Sequence, residues 1–243
     1  ILHSTSLCAN GDAFYSATNE IMPECPKLCV GVHLNIIEGK ALNTPDKLTE
    51  LTDSNGNFNN GWIQLLLKSF NKKFMEQVEI EFRSQIEKII SCTKVSHIDS
   101  HVHTHAIPPI FKLVCKLAQE YKIPFVRTQG EKPYIVPSLK ATVNKEFAIN
   151  ILKNILLNTF TFINRPVVKK HNLKTNDYQI GVLYTLMMSN KSLYYGLKSI
   201  KRDNKLVESL IHPCLYADGK RDNHSVEFEI TQDKELIEKI KDM

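Results

Sequence analysis

Histidines are concentrated in one short stretch of the sequence, Ser96–His105. Four of the nine histidines lie there at alternate positions, with one carboxylate among them: His97, Asp99, His101, His103 and His105. In an extended strand these five side chains would share a face. The distance from His97 to His105 would be about 26 Å and a His–metal bond is about 2.1 Å, so one metal ion could use only one or two of them. The alternative is a polar strand end with solvated histidines.

Two further histidines close apolar segments. His33 lies near the end of the apolar run Leu28–Leu34, and His212 follows the apolar run Leu206–Ile211. A single histidine of this kind is more often a hydrogen-bonded core residue. Three at one edge of a sheet, His33, His101 and His212, favour a metal or acid-base site. Because a metal held by imidazole and carboxylate groups polarises carbonyls and activates water, the pattern predicts metal-assisted hydrolysis.

The strands and helix predicted around the histidine stretch indicate at which edge of the sheet the stretch lies. The residue pattern predicts a strand over Lys94–Asp99, a helix from Pro108 to Tyr121 and a strand over Ile123–Arg127. This β-α-β order is typical of a parallel α/β fold, in which active sites lie at the carboxyl ends of the strands. Arg127 would reach the same edge, and its alternative role is a surface ion pair.

The rest of the chain predicts alternating strands, helices and loops. We expect strands over Ser4–Ala9, Leu28–Leu34 and Leu206–Ile211, helices over Ala13–Met22, Phe74–Ile90, Phe147–Phe162 and Glu235–Lys241, and loops over Asn35–Asn60 and Arg165–Lys174. Gly181–Met188 reads equally well as a strand or a buried helix. The long loop Asn35–Asn60 is of a kind that often binds ligands, and Glu38 within it follows His33 closely in the chain.

Composition and charge narrow the class of protein. The length of 243 residues suits one α/β barrel or two small domains, and the net charge of +5 comes mainly from dispersed lysines, which indicates a solvated surface rather than nucleic-acid binding. No segment has the roughly 18 consecutive apolar residues of a membrane helix. The six cysteines form no dense framework, and Cys25 and Cys29 alone are too few for structural zinc. Reduced thiols in a cytoplasmic protein are therefore expected.

Four groups of motifs occur in order along nearly the whole chain. They are Ser4-Thr-Ser-Leu-Cys-Ala-Asn-Gly-Asp-Ala-Phe14, Gly31-Val-His-Leu-Asn35 with Glu38-Gly-Lys40, His97-Ile-Asp-Ser-His-Val-His103 followed by Pro108, and Ile211-His-Pro213. Together they resemble the motifs of the YdjC/ChbG-type carbohydrate deacetylases. The resemblance implies one domain over residues 1–243 with an irregular (β/α) barrel fold related to the polysaccharide deacetylases. It also implies hydrolysis of an N-acetyl group on an amino sugar or oligosaccharide.

The resemblance also assigns roles to single residues. His33 and His101 match the two histidine ligands of a divalent metal ion, usually magnesium, although histidine ligands would admit zinc or another divalent metal. His212 matches the strand-end histidine expected to protonate the leaving amine. Asp99 would orient nearby histidines, and Arg127 would position a carboxylate or the substrate. His103 and His105 are left as site lining or surface residues.

One motif of the family is missing. Family members begin with a strand ending in an Ala-Asp-Asp-Phe-Gly type motif, whose aspartates provide the third metal ligand and the catalytic base, but no Asp-Asp pair occurs here and Ile1 aligns beyond that motif. We therefore expect the first strand-helix unit, about 25 residues, to be absent, and the activity of these 243 residues alone to be weak or absent. The alternatives are a truncated chain of an active deacetylase and an inactive sugar-binding remnant.

The expected partner is a small oligosaccharide or amino-sugar substrate. We expect no nucleic-acid partner and no membrane partner, and the sequence leaves a homodimer open. A phosphoesterase on the same barrel would need further carboxylates at strand ends, and too few are present.

Overall fold

The structure, a computed structural model, describes residues 2–137, 145–200 and 204–241 and divides into two units. The N-terminal unit comprises Leu2–Arg127 and Ile163–Thr175, and the C-terminal unit comprises Thr128–Phe162 and Asn176–Met243. Each unit is described by itself below. The single domain expected over residues 1–243 stays a prediction.

Four short strands form a parallel sheet in the N-terminal unit, in the order β1-β2-β3-β4. They are β1 (Ser4–Leu7), β2 (Cys29–Leu34), β3 (Val95–Ser100) and β4 (Phe125–Val126). Val32, Leu34 and Ile98 are fully buried, as expected for apolar strands that are covered on both faces. The predicted α/β class with a parallel sheet is confirmed, and closure into a barrel stays a prediction.

The helices of the N-terminal unit supply a large part of its apolar core. They are α1 (Phe14–Ser16), α2 (Trp62–Lys68), α3 (Lys72–Ile90) and α4 (Pro108–Glu120). Asn71 caps α3 by accepting a hydrogen bond from Phe74 N at 3.1 Å. The predicted apolar stripe of α3 is buried: Phe74, Val78, Phe82, Ile86 and Ile89. The sequence did not predict α2.

The segment Ala13–Met22 is not the single helix that its pattern predicted. It is divided between α1, a π-helical turn over Ala17–Ile21 and a 3₁₀ turn over Met22–Glu24. Pro23 does not end the helical conformation, because it occupies an early position of the 3₁₀ turn, where its missing N–H is not needed.

The chain turns directly after β3. His101–Ala106 is a 3₁₀ turn, in which Val102 and His103 have φ angles of 42° and 58°. Left-handed conformations of this kind are uncommon for residues other than glycine. The expectation that the histidines share one strand face is therefore wrong beyond Ser100, because only the first part of the stretch is extended.

The C-terminal unit contains a parallel pair of strands, β5 (Tyr178–Ile180) and β6 (Val207–Ser209). The remaining helices are α5 (Lys145–Lys170), α6 (Asn190–Lys198), α7 (Asn223–Gln232) and α8 (Lys234–Lys241), of which α5 contributes residues to both units. The core of the C-terminal unit is aromatic and aliphatic: Tyr134, Val136, Phe147, Ile180, Leu183, Tyr184, Met188, Leu193, Leu197, Ile200, Ile230 and Leu236. The sequence did not predict α6 and α7.

Two expectations for the second half of the chain are corrected. Arg165–Lys170 continues α5 through Pro166 and is not part of a loop, since the buried Val168 extends the apolar pattern past the proline. Gly181–Met188 is neither a strand nor a helix but a turn, although Val182, Leu183 and Tyr184 within it are buried.

Among the residues that the structure describes, no helix is both long enough and apolar enough to cross a membrane.

Candidate active site

Asp99 of β3 is the centre of a buried cluster in the N-terminal unit. Its carboxylate is 1% exposed and contacts side chains that follow or lie on three other strands. Oδ1 accepts a hydrogen bond from His33 Nδ1 at 2.6 Å. Oδ2 accepts from Ser6 Oγ at 2.6 Å and lies 2.6 Å from Arg127 Nη1. The strand register explains the His33 contact, because His33 of β2 lies directly opposite Asp99.

These contacts determine the charge of Asp99. Burial alone would raise the pKa of its carboxyl, but the charge of Arg127, the interaction with His33 and the Ser6 hydrogen bond together hold that pKa far below its usual value. An ionised carboxylate only accepts hydrogen bonds, so His33 Nδ1 must donate. In the neutral imidazole this leaves the lone pair of His33 Nε2 as a possible metal ligand.

His101 lies beside His33 at the start of the 3₁₀ turn. The ring centroids of His33 and His101 are 5.8 Å apart, and the rings meet edge to face. His101 Nε2 lies 2.9 Å from Glu38 Oε2, and both side chains are accessible, His101 at 36% and Glu38 at 78%. Glu38 therefore joins the site by contact, whereas the sequence placed it there only by its closeness to His33 in the chain.

Of the other two histidines of the turn, His105 is buried and His103 is half-buried. Burial lowers the pKa of His105 to about 4, and that of His103 to about 3. His105 Nε2 donates to the carbonyl oxygen of Arg127 at 3.1 Å, and His105 Nδ1 accepts from Ser100 Oγ at 2.5 Å. His105 is thus a neutral support of the Arg127 backbone and not a surface residue.

Asn35, the first residue after β2, fixes the start of the loop that carries Glu38. Asn35 Oδ1 accepts from the backbone N–H groups of Ile37 and Glu38 at 3.1 and 3.2 Å, and Asn35 Nδ2 donates to the Glu38 carbonyl at 2.7 Å. Gln85 of α3 in turn binds both backbone groups of Asn35: its Oε1 accepts from Asn35 N at 2.9 Å and its Nε2 donates to Asn35 O at 2.6 Å.

His212 lies in the C-terminal unit, three residues after β6. Its side chain is 57% exposed, and Nδ1 is 3.5 Å from Oε2 of the buried Glu227. β6 pairs with β5 and not with the four-stranded sheet. The structure therefore brings four of the predicted residues together, His33, His101, Asp99 and Arg127, while the role of His212 stays a prediction.

Two members of the cluster, Ser6 and His97, were not predicted. His97 lies within the histidine stretch but is 7% exposed, and it contacts Ser6 Oγ through Nε2 at 3.2 Å. The sequence signal was weak, since only the register of three strands shows that Ser6 and Asp99 are neighbours.

The cluster supplies only part of the donor set that a divalent metal ion requires. Within residues 2–137, 145–200 and 204–241, no three side chains of His, Cys, Asp or Glu are grouped so that they could hold a metal. His33 and His101 provide two imidazoles, and Asp99 orients His33 through Nδ1, as carboxylates orient metal-binding histidines. The two histidines thus fit part of a metal site.

The fold and the cluster define an α/β protein with a polar site at the carboxyl ends of parallel strands. A solved structure from Enterococcus faecalis V583, provisionally named a cellobiose-phosphate cleavage protein, has the same fold: the TM-score is 0.71 over 99% of this chain and 83% of that chain, at 21% identity. The YdjC-like protein family model matches residues 1–242. The chain belongs to the YdjC-like family.

Curated relatives are named carbohydrate deacetylases. That of Clostridium beijerinckii is 36% identical over 202 residues, which cover 80% of this chain and 76% of the relative. A chitooligosaccharide deacetylase of Escherichia fergusonii is 31% identical over 125 residues, or 51% of this chain and 47% of the relative. A carbohydrate deacetylase of Brevibacillus brevis is 34% identical, again over 47% of its length. The chain thus aligns with about half the length of two of these relatives.

Proposed function

We propose that this chain hydrolyses the N-acetyl group of an acetylated amino sugar or oligosaccharide, of the kind found in chitooligosaccharides. Relatives named carbohydrate and chitooligosaccharide deacetylases support the reaction class. The observation that carries the proposal is the orientation of His33 by Asp99 at the carboxyl ends of β2 and β3, with His101 beside it. Such an arrangement suits hydrolysis by an activated water.

His33 and His101 would hold a divalent metal ion, with magnesium first and zinc as an alternative. When bound, the ion would polarise the amide carbonyl and lower the pKa of a water molecule. The residues of the chain supply orientation: Arg127 keeps the Asp99 carboxylate in place, and Asp99 keeps His33 Nδ1 turned inward. A neutral His33 with a fixed ring is the form that ligates a metal.

His212 is proposed as the general acid that protonates the leaving amine. An imidazole is suited to this step because its pKa lies near neutrality. Glu227, which is buried and close to His212 Nδ1, would keep the ring oriented. A homodimer and a cytoplasmic location remain proposals of the same kind.

The test is acetate release from N-acetylated chitooligosaccharides by the 243-residue chain, with Mg²⁺, with Zn²⁺ and with EDTA. We expect slow, metal-dependent release that is lost in Asp99→Asn. His171→Ala is the matched control, because His171 bonds Gln119 on an exposed surface. Oligosaccharide binding without any acetate release, measured by calorimetry, would contradict the proposal and favour a sugar-binding role.

A further inference from the structure

Three strands place one residue each in a single row across the sheet. Ser6 of β1 lies opposite Gly31 of β2, and Gly31 lies opposite His97 of β3. The His97 ring crosses Gly31, because a Cβ atom on Gly31 would be only 2.3 Å from His97 Nε2. The ring thereby reaches Ser6 Oγ at 3.2 Å, although β1 and β3 are not adjacent strands.

The Ser6 hydroxyl has one proton to donate. Ser6 Oγ lies 2.6 Å from Asp99 Oδ2, and the ionised carboxylate can only accept, so the proton of Ser6 points to Asp99. The contact between Ser6 Oγ and His97 Nε2 is then a hydrogen bond only if Nε2 is the donor.

The other ring nitrogen of His97 meets a second serine with the same restriction. Ser96 Oγ donates to the carbonyl oxygen of Val30 at 2.9 Å, which uses its single proton. His97 Nδ1 lies 2.8 Å from Ser96 Oγ, and if both contacts of Ser96 are hydrogen bonds, Nδ1 donates as well. A neutral imidazole carries one N–H and an imidazolium carries two.

We infer that His97 is a buried imidazolium which fixes the Ser6 hydroxyl on Asp99 and so acts as a positioning residue for His33. The charge state rests on treating both serine contacts of His97 as hydrogen bonds, whereas the positioning role rests on the function proposed above. Through the Ser6 hydroxyl, His97 supports a third hydrogen-bond donor to Asp99, besides Arg127 and His33. Outer partners of this kind hold a metal-binding histidine in one orientation.

The charges around His97 act in both directions. Asp99, two residues along β3, favours the imidazolium, while burial and the guanidinium of Arg127 oppose it. The β4 neighbour Phe125 is uncharged and meets the ring edge-on, with centroids 6.5 Å apart. Gly31 of β2 contributes no side chain. The two serine acceptors and Asp99 thus stabilise the charged form.

The charge state is tested by NMR on the full chain labelled with ¹⁵N-histidine. Long-range ¹H–¹⁵N correlation at pH 7.5 distinguishes ring nitrogens with and without a proton, and the His97→Gln variant assigns the signals. We expect both nitrogens of His97 in the protonated range. One nitrogen without a proton would overturn the inference.

The positioning role is tested with two variants at Ser6. Ser6→Ala removes the acceptor of Nε2, so His97 should become neutral at pH 7.5 and kcat for acetate release should fall about 10- to 100-fold with KM unchanged. Ser6→Thr keeps the hydroxyl and should restore both the NMR signature and most of kcat. Circular dichroism checks that each variant folds, and if His97→Gln does not fold, through-bond correlation to the His97 backbone assigns the ring signals.

The outcomes separate the two proposals. If the parent chain releases no acetate but both His97 nitrogens are protonated, the proposed function fails and the charge state stands. If acetate is released and Ser6→Ala changes neither kcat nor the His97 spectrum, the inference fails and the function stands.

Discussion

Asp99 receives a hydrogen bond or ion pair from His33, Ser6 and Arg127 within a space that water does not reach. A buried carboxylate is stable in its charged form only when its lone pairs are satisfied by donors. The three contacts on Asp99 meet this condition. The Asp99 carboxylate in turn compensates the charge of Arg127, whose side chain is 6% exposed. Removing the charge of Asp99 should therefore affect both folding and the site.

Asp99→Asn is expected to destabilise the N-terminal unit by about 3 to 5 kcal/mol, because it removes the carboxylate charge that lies 2.6 Å from the buried Arg127 guanidinium. The NH₂ group of the introduced asparagine would also face the donors of Ser6 and Arg127, where the Asp99 carboxylate accepts hydrogen bonds. Urea unfolding followed by the fluorescence of Trp62, the single tryptophan, reports on this unit.

The matched control is Glu120→Gln, which removes a carboxylate from the partly exposed ion pair with Arg83. Pairs of that kind contribute at most about 1 kcal/mol. Equal losses of stability in Glu120→Gln and Asp99→Asn would show that Asp99 is not the centre of the cluster.

At the scale of residues, the sequence predicted those members of the site that end strands. His33, Asp99 and Arg127 follow or close apolar runs, and a rule about strand ends finds them. Ser6 and His97 could not be found in this way, because their contact depends on the register of three strands and on the absence of a side chain at Gly31.

α3 carries a buried polar stripe in addition to its apolar one. Its buried residues Gln77, Glu81 and Gln85 are spaced four residues apart and form a polar stripe along one side of the helix. Each bonds the backbone of the loop Asn35–Asn60: Gln77 accepts from Glu50 N at 2.7 Å, Glu81 from Leu42 N at 3.0 Å, and Gln85 from Asn35 N at 2.9 Å. The loop that carries Glu38 is therefore held along its length.

Gln85→Ala should leave the backbone groups of Asn35, a residue 5% exposed, without partners. Each unsatisfied group costs about 1 to 3 kcal/mol. We expect lower stability in urea and faster hydrogen exchange over Asn35–Lys40, because the turn around Asn35 loses its anchor.

The control for Gln85→Ala is Gln64→Ala, the same truncation on the exposed face of α2. It should change stability by less than about 0.5 kcal/mol. Unchanged exchange in Gln85→Ala would mean that the loop is held by its own internal contacts.

At the scale of elements, periodicity predicted α3 and α4 well because their apolar stripes are long. The polar stripe of α3 was missed, since buried glutamines look like solvent-facing residues in a sequence. α5 was predicted too short because Arg165–Lys174 was interpreted as a basic loop, whereas the buried Val168 continues the helix.

The C-terminal unit has its own buried carboxylate, Glu131, which is 1% exposed. Glu131 accepts hydrogen bonds from Gly181 N at 2.8 Å, Leu183 N at 2.6 Å and Asn154 Nδ2 at 3.0 Å. Burial raises its pKa to about 7, although these hydrogen bonds act in the opposite direction. Glu131 thus links the turn after β5 to α5.

The stability of this unit should fall as the pH rises. Because the folded pKa of Glu131 is above its unfolded value of 4.5, the native state binds more protons between pH 4.5 and about 7. A tenfold change in proton affinity is about 1.4 kcal/mol, so the loss across this window is on the order of 3 kcal/mol. Urea unfolding by circular dichroism at pH 5 and pH 8 measures it.

Glu131→Gln should flatten this pH dependence, because the side chain no longer ionises. Glu229→Gln, which changes an exposed carboxylate paired with Arg221, should keep the slope of the parent chain. The same slope in Glu131→Gln would assign the effect to other groups.

At the scale of the molecule, the sequence predicted the α/β class and the family motifs but not the division into two units. Motif order follows the chain, whereas units are set by contacts between distant segments. His212 illustrates the difference: it lies three residues after β6, and that strand pairs with β5 in the C-terminal unit.

Because the His97 ring lies against Gly31, positions 31 and 97 should covary in evolution. Any side chain at position 31 would occupy the space of the imidazole, since even a Cβ atom would lie 2.3 Å from Nε2. A larger residue at position 31 therefore requires a smaller residue at position 97. Either substitution alone should be poorly tolerated, so the double change passes through an unfavourable single variant. In an alignment of YdjC-like sequences, we expect positions 31 and 97 to vary together or not at all.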